Sequence, residues 1–127
     1  MNEYVVVTKN KERQAAIPNE WRKTLADIVE AFKDGDFQLQ RNVPGVCPVS
    51  EKLANCIAGN IEDYGAKLLS LPEQSWETSV CQWMDGYWDA WIDLFTIDEG
   101  CSDLALFVRI SESAGAYLFS VSSVHVP

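Results

Sequence analysis

The best candidates for chemistry in this sequence are two aspartates, Asp89 and Asp93, in the segment QWMDGYWDAWIDLFT at residues 82–96. On a β-strand they lie two positions apart on one face, a spacing that accommodates a pair of carboxylates. General acid catalysis also needs a pocket that raises the pKa of one carboxyl group, which a sequence pattern does not reveal. A strand register that sets Arg109 over Trp91, between the two aspartates, predicts a structural role for these charged residues instead.

The thiols and the single histidine form no recognisable site in the sequence. Cys47, Cys56, Cys81 and Cys101 are separated by 9, 25 and 20 residues, without a C-x-x-C pair, and His125 is the only histidine. A zinc site needs such a tight ligand pair, and a catalytic thiol needs an oriented partner. We therefore expect no metal, no cofactor and no catalytic residue, and we expect four reduced thiols, with Cys81 buried.

The charge balance is acidic, with nineteen acidic and ten basic side chains and a formal net charge of -9. Nucleic acid and anionic lipid both require clustered Lys and Arg, so we expect neither as a partner, whereas a basic protein would be attracted. No apolar run could cross a bilayer and no secretory signal is recognisable, which predicts a cytoplasmic protein. The loop TIDEGCSD, with Asp98, Glu99 and Asp103, lacks the ligand alternation of a calcium loop and indicates a solvated turn.

Two helices are expected ahead of the strands. Apolar residues recur at helical spacing between about 20 and 34, with Asn19 as the expected N-cap and Gly35 as the stop. A second helix should follow Ser50 and end at Gly65, with a further turn expected in AKLLSLPEQ before Pro72. Residues 1–18 are expected to form an arm, in which EYVVV at residues 3–7 could be a short strand, and residues 19–127 a single domain.

The remaining sequence predicts four antiparallel strands. Asp85-Gly86 is a favoured type I′ hairpin pair, which sets Trp83 opposite Trp88. The segments SDLALFVRI and YLFSVSSVHVP supply the last two strands. The fold class is therefore α+β, with two N-terminal helices packed on one face of a four-stranded antiparallel meander. That face is expected to carry Trp83, Trp88, Ala90, Ile92, Leu94, Leu104, Leu106, Val108 and Ile110.

The second face of this sheet is unusually aromatic. It is expected to carry Met84, Tyr87, Asp89, Trp91, Asp93, Phe95, Phe107, Arg109, Tyr117, Phe119 and Val121. It could be covered by the N-terminal strand, the Cys47 loop or sheet curvature; it could bind a protein; or it could enclose a ligand pocket. The candidate partner-binding residues are Tyr87, Asp89, Trp91, Asp93, Phe95, Asp98, Glu99 and Arg109.

The segments QWMDGYWD, DLFT and EGCSDL, together with WRKTLADIVEAFKDGDF and SVHVP, resemble an uncharacterised family of small bacterial proteins. The resemblance spans residues 20 to 127 and implies no catalytic residue. In size, acidity and α+β build, the chain also resembles immunity proteins, which protect bacteria from toxin domains of neighbouring cells.

The absence of a catalytic constellation, the net charge of -9 and the aromatic second face, together with these likenesses, give two hypotheses for function. The first is a non-enzymatic binding protein, an immunity protein that neutralises a cognate basic toxin domain of nuclease type. The second is a small ligand-binding or hydrolytic domain with a pocket in a curved sheet. This second hypothesis follows from IVEAFKDGDF ahead of the strands, which resembles nuclear-transport-factor-like folds.

Overall fold

The computed structural model describes residues 4–65 and 67–127, and it confirms the α+β class. Helices α1 (Asn19–Lys33) and α2 (Glu51–Tyr64) come first, followed by a short 3₁₀ helix (Glu73–Glu77). Five strands form one antiparallel sheet in chain order: β1 (Ala15–Ala16), β2 (Val80–Trp83), β3 (Trp88–Thr96), β4 (Gly100–Ser113) and β5 (Ala116–His125). In these two stretches we find no helix with the length and apolarity needed to cross a membrane.

Helix α1 spans the range expected from its apolar spacing, but its first turn is built differently. Pro18 occupies the N-cap position, and the Asn19 side chain makes no cap hydrogen bond. Instead, Asn19 Oδ1 accepts a hydrogen bond from the Val5 amide at 2.6 Å. The expected Asn19 cap is therefore wrong, because this side chain fastens the N-terminal segment to the helix. At the other end Gly35 has φ 85°, a conformation in which glycine ends a helix without strain.

Helix α2 begins and ends as its sequence predicts. The Ser50 hydroxyl accepts a hydrogen bond from the Leu53 amide at 3.1 Å, and Gly65 ends the helix with φ 79°. The described residues between Gly65 and Pro72 do not form the further helical turn expected before Pro72, so that prediction is wrong. Leu68 forms a bridge to Thr96 beside β3, and the 3₁₀ helix follows Pro72 instead.

The hairpin between β2 and β3 has the predicted register. Trp83 pairs with Trp88, Gln82 with Asp89, and Val80 with Trp91. The loop residues Asp85 and Gly86 have φ 63° and 144°, so both have the positive values that a type I′ turn requires.

One face of the sheet packs on the two helices and forms the core. All nine residues expected there are buried or packed against the core. At its centre Trp21 of α1 meets Trp88 of β3 edge to face, with 5.2 Å between ring centroids. Burial of two indoles next to each other on a helix and a strand fixes how α1 lies on the sheet.

Over most of β5, the side chains lie on the opposite face of the sheet from the one expected. A β-bulge between the pairs Phe107–Ser123 and Val108–Val121 adds one residue to β5. Between the loop at residues 114–115 and this bulge, Phe119 pairs with Ile110 and Val121 with Val108, so Phe119 and Val121 are buried in the core, and Tyr117 packs against Trp21 and Trp88. The assignment of Tyr117, Phe119 and Val121 to the second face is therefore wrong. The bulge then turns Ser123 and His125 to the second face.

The N-terminal segment is also placed differently. Tyr4–Val7 do not form a strand, and Glu3 lies outside the described residues. The extra strand is β1, which pairs with Val80 and Cys81 on the edge of the sheet. Ile17 is fully buried, so residues 15–17 belong to the packed fold rather than to a separate arm.

Candidate partner-binding surface

The outer face is the side of the sheet opposite the helices. We define it by Tyr87, Asp89, Trp91, Asp93, Phe95, Ala105, Phe107, Arg109, Ser123 and His125. Strand β3 alternates strictly, with buried residues on the helix side and half-buried residues, including Trp91 and Phe95, on the outer face. The sheet therefore presents aromatic rings on the side that the helices leave open.

The two segments that could have covered the outer face pack along the sheet edges and on the helix side. The Cys47 loop makes backbone hydrogen bonds to Phe119, a core residue on the edge strand β5. In the N-terminal segment the Thr8 carbonyl accepts a hydrogen bond from Trp88 Nε1, and Lys9 lies over Trp83 and Trp88. Both tryptophans belong to the helix side. The Asn10 carbonyl also accepts a hydrogen bond from Gln82 Nε2, so the segment reaches the β2 margin of the outer face, where Trp91 and Phe107 remain half exposed.

Three rings form a continuous aromatic row across β3, β4 and β5. Trp91 meets Phe107 edge to face, with 6.2 Å between centroids and 84° between ring planes. Phe107 stacks on His125 at 4.4 Å and 8°, and His125 Nδ1 lies 2.8 Å from Ser123 Oγ. Ala105 beside this row is only 3% exposed, so neighbouring side chains close over the sheet there. The row is thus ordered by contacts within the face itself.

Arg109 lies at the hairpin end of the row. It pairs with Asp89 across β3 and β4, with Nε 3.3 Å from Oδ1, and its guanidinium is 3.9 Å from the centroid of the Tyr87 ring. The expected stacking of Arg109 on Trp91 is therefore wrong, because the register brings Tyr87 beneath the guanidinium instead. The Arg109–Asp89 ion pair is about half exposed to solvent, so it contributes little to stability. Its role is to hold the two side chains in place on the surface.

Asp93 is held by a different set of partners. Its carboxylate accepts a hydrogen bond from the Thr78 hydroxyl, while its backbone amide and carbonyl bond to Ser79 and Ser75. About 13 Å of strand separates it from Asp89 at 3.3 Å per residue. The two aspartates do not share a proton site, and each has a structural partner of its own.

A small cavity opens beside the aromatic row. Its volume is about 230 Å³, and Asp89, Trp91, Phe107, Arg109, Ser123 and His125 are among its lining residues. It therefore combines ring surfaces with a carboxylate and a guanidinium. Tyr87 contributes to the face but does not line this cavity.

Asp98 and Glu99 lie at the opposite end of β3, in the turn to β4. The strand between Trp88 and Thr96 spans about 26 Å, so this turn is remote from Tyr87 and Arg109. Glu99 accepts a hydrogen bond from the Tyr64 hydroxyl of α2, and this contact raises the Tyr64 pKa. The eight candidate residues thus divide into a face and a distant acidic turn.

Two of the four thiols, Cys81 and Cys101, are poorly suited to nucleophilic chemistry. Burial raises the pKa of Cys81 to about 11, and Cys81 is 3% exposed, as its strand register predicts. At Cys101, burial and the nearby Asp93 and Asp103 carboxylates raise the pKa, which disfavours the thiolate. All four thiols are free, and in the described parts of the chain no cluster of His, Cys, Asp or Glu could hold a metal ion.

Two members of the face were missed as site residues. Phe107 was placed on the correct face but not counted among the partner-binding residues, and His125 was considered only as a partner for cysteines. The pairing of Ala105 with His125 and of Phe107 with Ser123 depends on the bulge in β5. A serine pair before a valine, SSVHV, is the only sequence signal near that bulge, and it does not specify one.

A second concavity lies away from the sheet face, beside the C-terminal end of α1. It is an open groove of about 810 Å³, lined by Phe32, Phe37, Leu69 and Ile97, with Lys33 and Lys67 on its rim. Lys33 is already paired with Glu30 at 2.8 Å and contacts Ser70. The groove is therefore mainly apolar, and one of its two lysines, Lys33, is already paired within the chain.

Comparison with known proteins assigns the chain to a family. No curated protein and no solved structure matches it. A family model described as a domain of unknown function, DUF7668, matches residues 29–127, from within α1 to the last residue. That match covers most of the chain and agrees with an uncharacterised domain family. The chain therefore belongs to the DUF7668 family.

Proposed function

We propose that this chain is a non-enzymatic binding protein of the cytoplasm, and that it acts as an immunity protein. Its partner is a cognate basic toxin domain of nuclease type, which docks on the outer face. The observation that carries the proposal is the row Trp91, Phe107 and His125 on a sheet face that the helices leave open. Aromatic residues and arginine are enriched at the centres of protein interfaces, where they supply most of the binding energy.

The charge of the sheet supports a basic partner. Residues 80–127 contain seven acidic side chains and a single basic one, Arg109. Asp89 already neutralises that arginine, while Asp85 at the hairpin and Asp98 at the opposite turn are exposed. A cationic protein is accelerated toward such a surface, and an anionic one is repelled.

The contacts of the polar residues support binding rather than catalysis. Asp89 and Asp93 are paired with different groups, and burial raises the pKa values of Cys81 and Cys101. An immunity protein needs no reactive group, because it acts by occluding its toxin.

The rival function, a small ligand-binding or hydrolytic domain, is favoured by a separate observation. The groove of about 810 Å³ beside α1 is large enough for a small ligand, and Lys67 among its lining residues would suit an anionic one. Titration with a fluorescent medium-chain carboxylate tests this rival. Saturable binding that Leu69→Asp abolishes would support it, and the absence of binding would reject it.

Co-expression tests the immunity function directly. The protein domain encoded beside the gene for this chain is expressed with and without it, and growth is scored. We expect the neighbouring domain to stop growth and this chain to restore it through a stable complex. A neighbour that is harmless, or a toxin that this chain fails to neutralise, would reject the proposal.

Hydroxyl-radical footprinting of the complex then identifies the surface involved. It reports on side chains, so it can distinguish the two faces of the same strand. We expect protection of Tyr87, Trp91 and Phe107, with Leu69 and Ile97 at the distant groove as unprotected controls. Protection confined to the helices or the groove would mean that the partner docks elsewhere.

A further inference from the structure

The cavity beside Trp91 has the size of one side chain. Its volume of about 230 Å³ lies below the range of about 300–1,000 Å³ that holds small-molecule ligands. Interface anchors are typically single side chains that fill a pocket of this kind on the partner. The volume therefore points to a side chain from a docked protein as the occupant.

The lining of the cavity selects a long cationic side chain. Trp91, Phe107 and His125 supply ring surfaces, which attract a methylene stem and, through their π-electrons, a cation. Asp89 supplies a carboxylate of which Oδ1 contacts Arg109. Across residues 4–65 and 67–127, we find no hydrogen-bond donor at its second oxygen, Oδ2. Arg109 also lines the cavity, so an entering cation would share Asp89 with it, binding Oδ2 while Arg109 keeps Oδ1.

Arg109 illustrates the same chemistry within this chain. Its guanidinium lies 3.9 Å from the Tyr87 ring centroid while it contacts the Asp89 carboxylate. A ring and a carboxylate thus already hold one cationic group at this place. The cavity is lined by the same Asp89 and Arg109, with the rings of Trp91 and Phe107 beside them.

We propose that one lysine or arginine side chain of the partner enters this cavity, with its stem against Trp91 and Phe107 and its charged end at Asp89. The inference rests on the proposed function, since it names the anchor by which the basic partner docks. Within the cavity Asp89 and Arg109 balance each other, so the charge of the whole sheet selects this occupant: residues 80–127 carry seven acidic side chains and one basic one, which disfavours an acidic anchor. An apolar anchor would leave the second oxygen of Asp89 without a partner.

The test uses single-residue probes and needs no partner. N-acetyl-arginine amide and N-acetyl-lysine amide are titrated into the whole protein, and the NMR signals of the Trp91 indole N–H and the His125 ring are followed. N-acetyl-citrulline amide and N-acetyl-norleucine amide are the neutral controls of matched shape. We expect saturable shifts at Trp91 and His125 with the two cations only.

Two variants locate the charge that binds the probe. Asp89→Asn should weaken binding of the cationic amides by about tenfold, whereas Asp98→Asn at the distant turn should leave it unchanged. If Asp89→Asn disturbs the fold, seen as loss of spectral dispersion, Trp91→Phe provides the second test, since a smaller ring should also weaken binding. Equal shifts with the neutral amides, or no saturable shift at Trp91, would overturn the inference.

This result is independent of the test of the proposed function. If the amides fail to bind while co-expression with the neighbouring domain restores growth, the anchor is wrong and the docking function stands. If the amides bind but the neighbouring domain is harmless, the cavity is a cation site and the immunity function is wrong.

Discussion

Trp91 of β3 and Phe107 of β4 are paired residues of the outer face, and their rings meet edge to face with 6.2 Å between centroids. Both rings are half buried, although they lie on the side of the sheet away from the helices. Their order comes from each other and from His125, which stacks on Phe107. A rigid, ordered aromatic surface loses little conformational entropy when a partner binds, so it suits an interface.

Acidic side chains at the distant turn should act on the rate of association alone. Asp98→Asn removes a charge from an exposed residue of the β3–β4 turn. We expect association with a basic partner to slow severalfold and its salt dependence to flatten, with dissociation nearly unchanged. Glu99→Gln is the companion variant, because its amide oxygen can still accept the Tyr64 hydrogen bond. Stopped-flow mixing at several salt concentrations measures both effects, and a faster dissociation would place these residues inside the interface.

The hairpin loop should not tolerate a side chain at Gly86. A Cβ there meets nothing within 4 Å, but its φ of 144° is strained for any other residue. We expect Gly86→Ala to destabilise the fold by about 1–3 kcal/mol. Gly59 of α2 is the matched control, since an added Cβ there also meets nothing within 4 Å and the residue does not have a positive φ. Gly59→Ala should stabilise by about 0.5–1 kcal/mol, and thermal unfolding that moved in the same direction for both would contradict this account.

Two buried tryptophans should respond differently to loss of the indole N–H. Trp88 donates from Nε1 to the Thr8 carbonyl at 2.8 Å, whereas Trp21 Nε1 is buried without a partner among the described residues. Both side chains are almost fully buried, and both make edge-to-face contacts with Tyr117. Trp88→Phe should therefore cost at least about 1 kcal/mol more than Trp21→Phe in urea unfolding. An equal or larger cost for Trp21→Phe would show that its N–H is satisfied.

Asp36 should make the stability of the fold depend on pH. Burial raises its pKa, but hydrogen bonds from the Gln40 and Arg41 amides and from the Arg41 side chain outweigh burial and lower it. A carboxyl with a lowered folded-state pKa stabilises the protein above its unfolded-state pKa, and this contribution is lost as pH falls through the folded-state value. Asp36→Asn should therefore destabilise at neutral pH and approach the parent in acid. Urea unfolding at both pH values measures this, and a difference that persists in acid would refute it.

The hairpin could be predicted from sequence because its signals are local. Asp85-Gly86 determines the loop, and alternation then fixes which side of β3 each residue faces. The faces of β5 could not be predicted in the same way. The bulge reverses the alternation between Val121 and Ser123, and it depends on pairing with β4 rather than on a residue preference.

The candidate site was predicted in part for the same reasons. Tyr87, Asp89, Trp91 and Arg109 follow from the hairpin register, whereas His125 joins Phe107 only through the bulge. Asp98 and Glu99 were grouped with them by charge, which carries no information on distance. The irregular N-terminal segment, fastened through Asn19 to Val5, has no periodic pattern to predict it.

The most direct test of the docking function is the dissociation rate of the complex with the neighbouring toxin domain. Trp91→Ala is compared with the parent and with Ile97→Ala, an exposed residue of the distant groove, after thermal unfolding has shown that both variants fold. We expect Trp91→Ala to accelerate dissociation by about thirtyfold, equivalent to about 2 kcal/mol for an anchor residue, and Ile97→Ala to leave it unchanged. A folded Trp91→Ala variant that dissociates like the parent would contradict the assignment of the outer face as the binding surface.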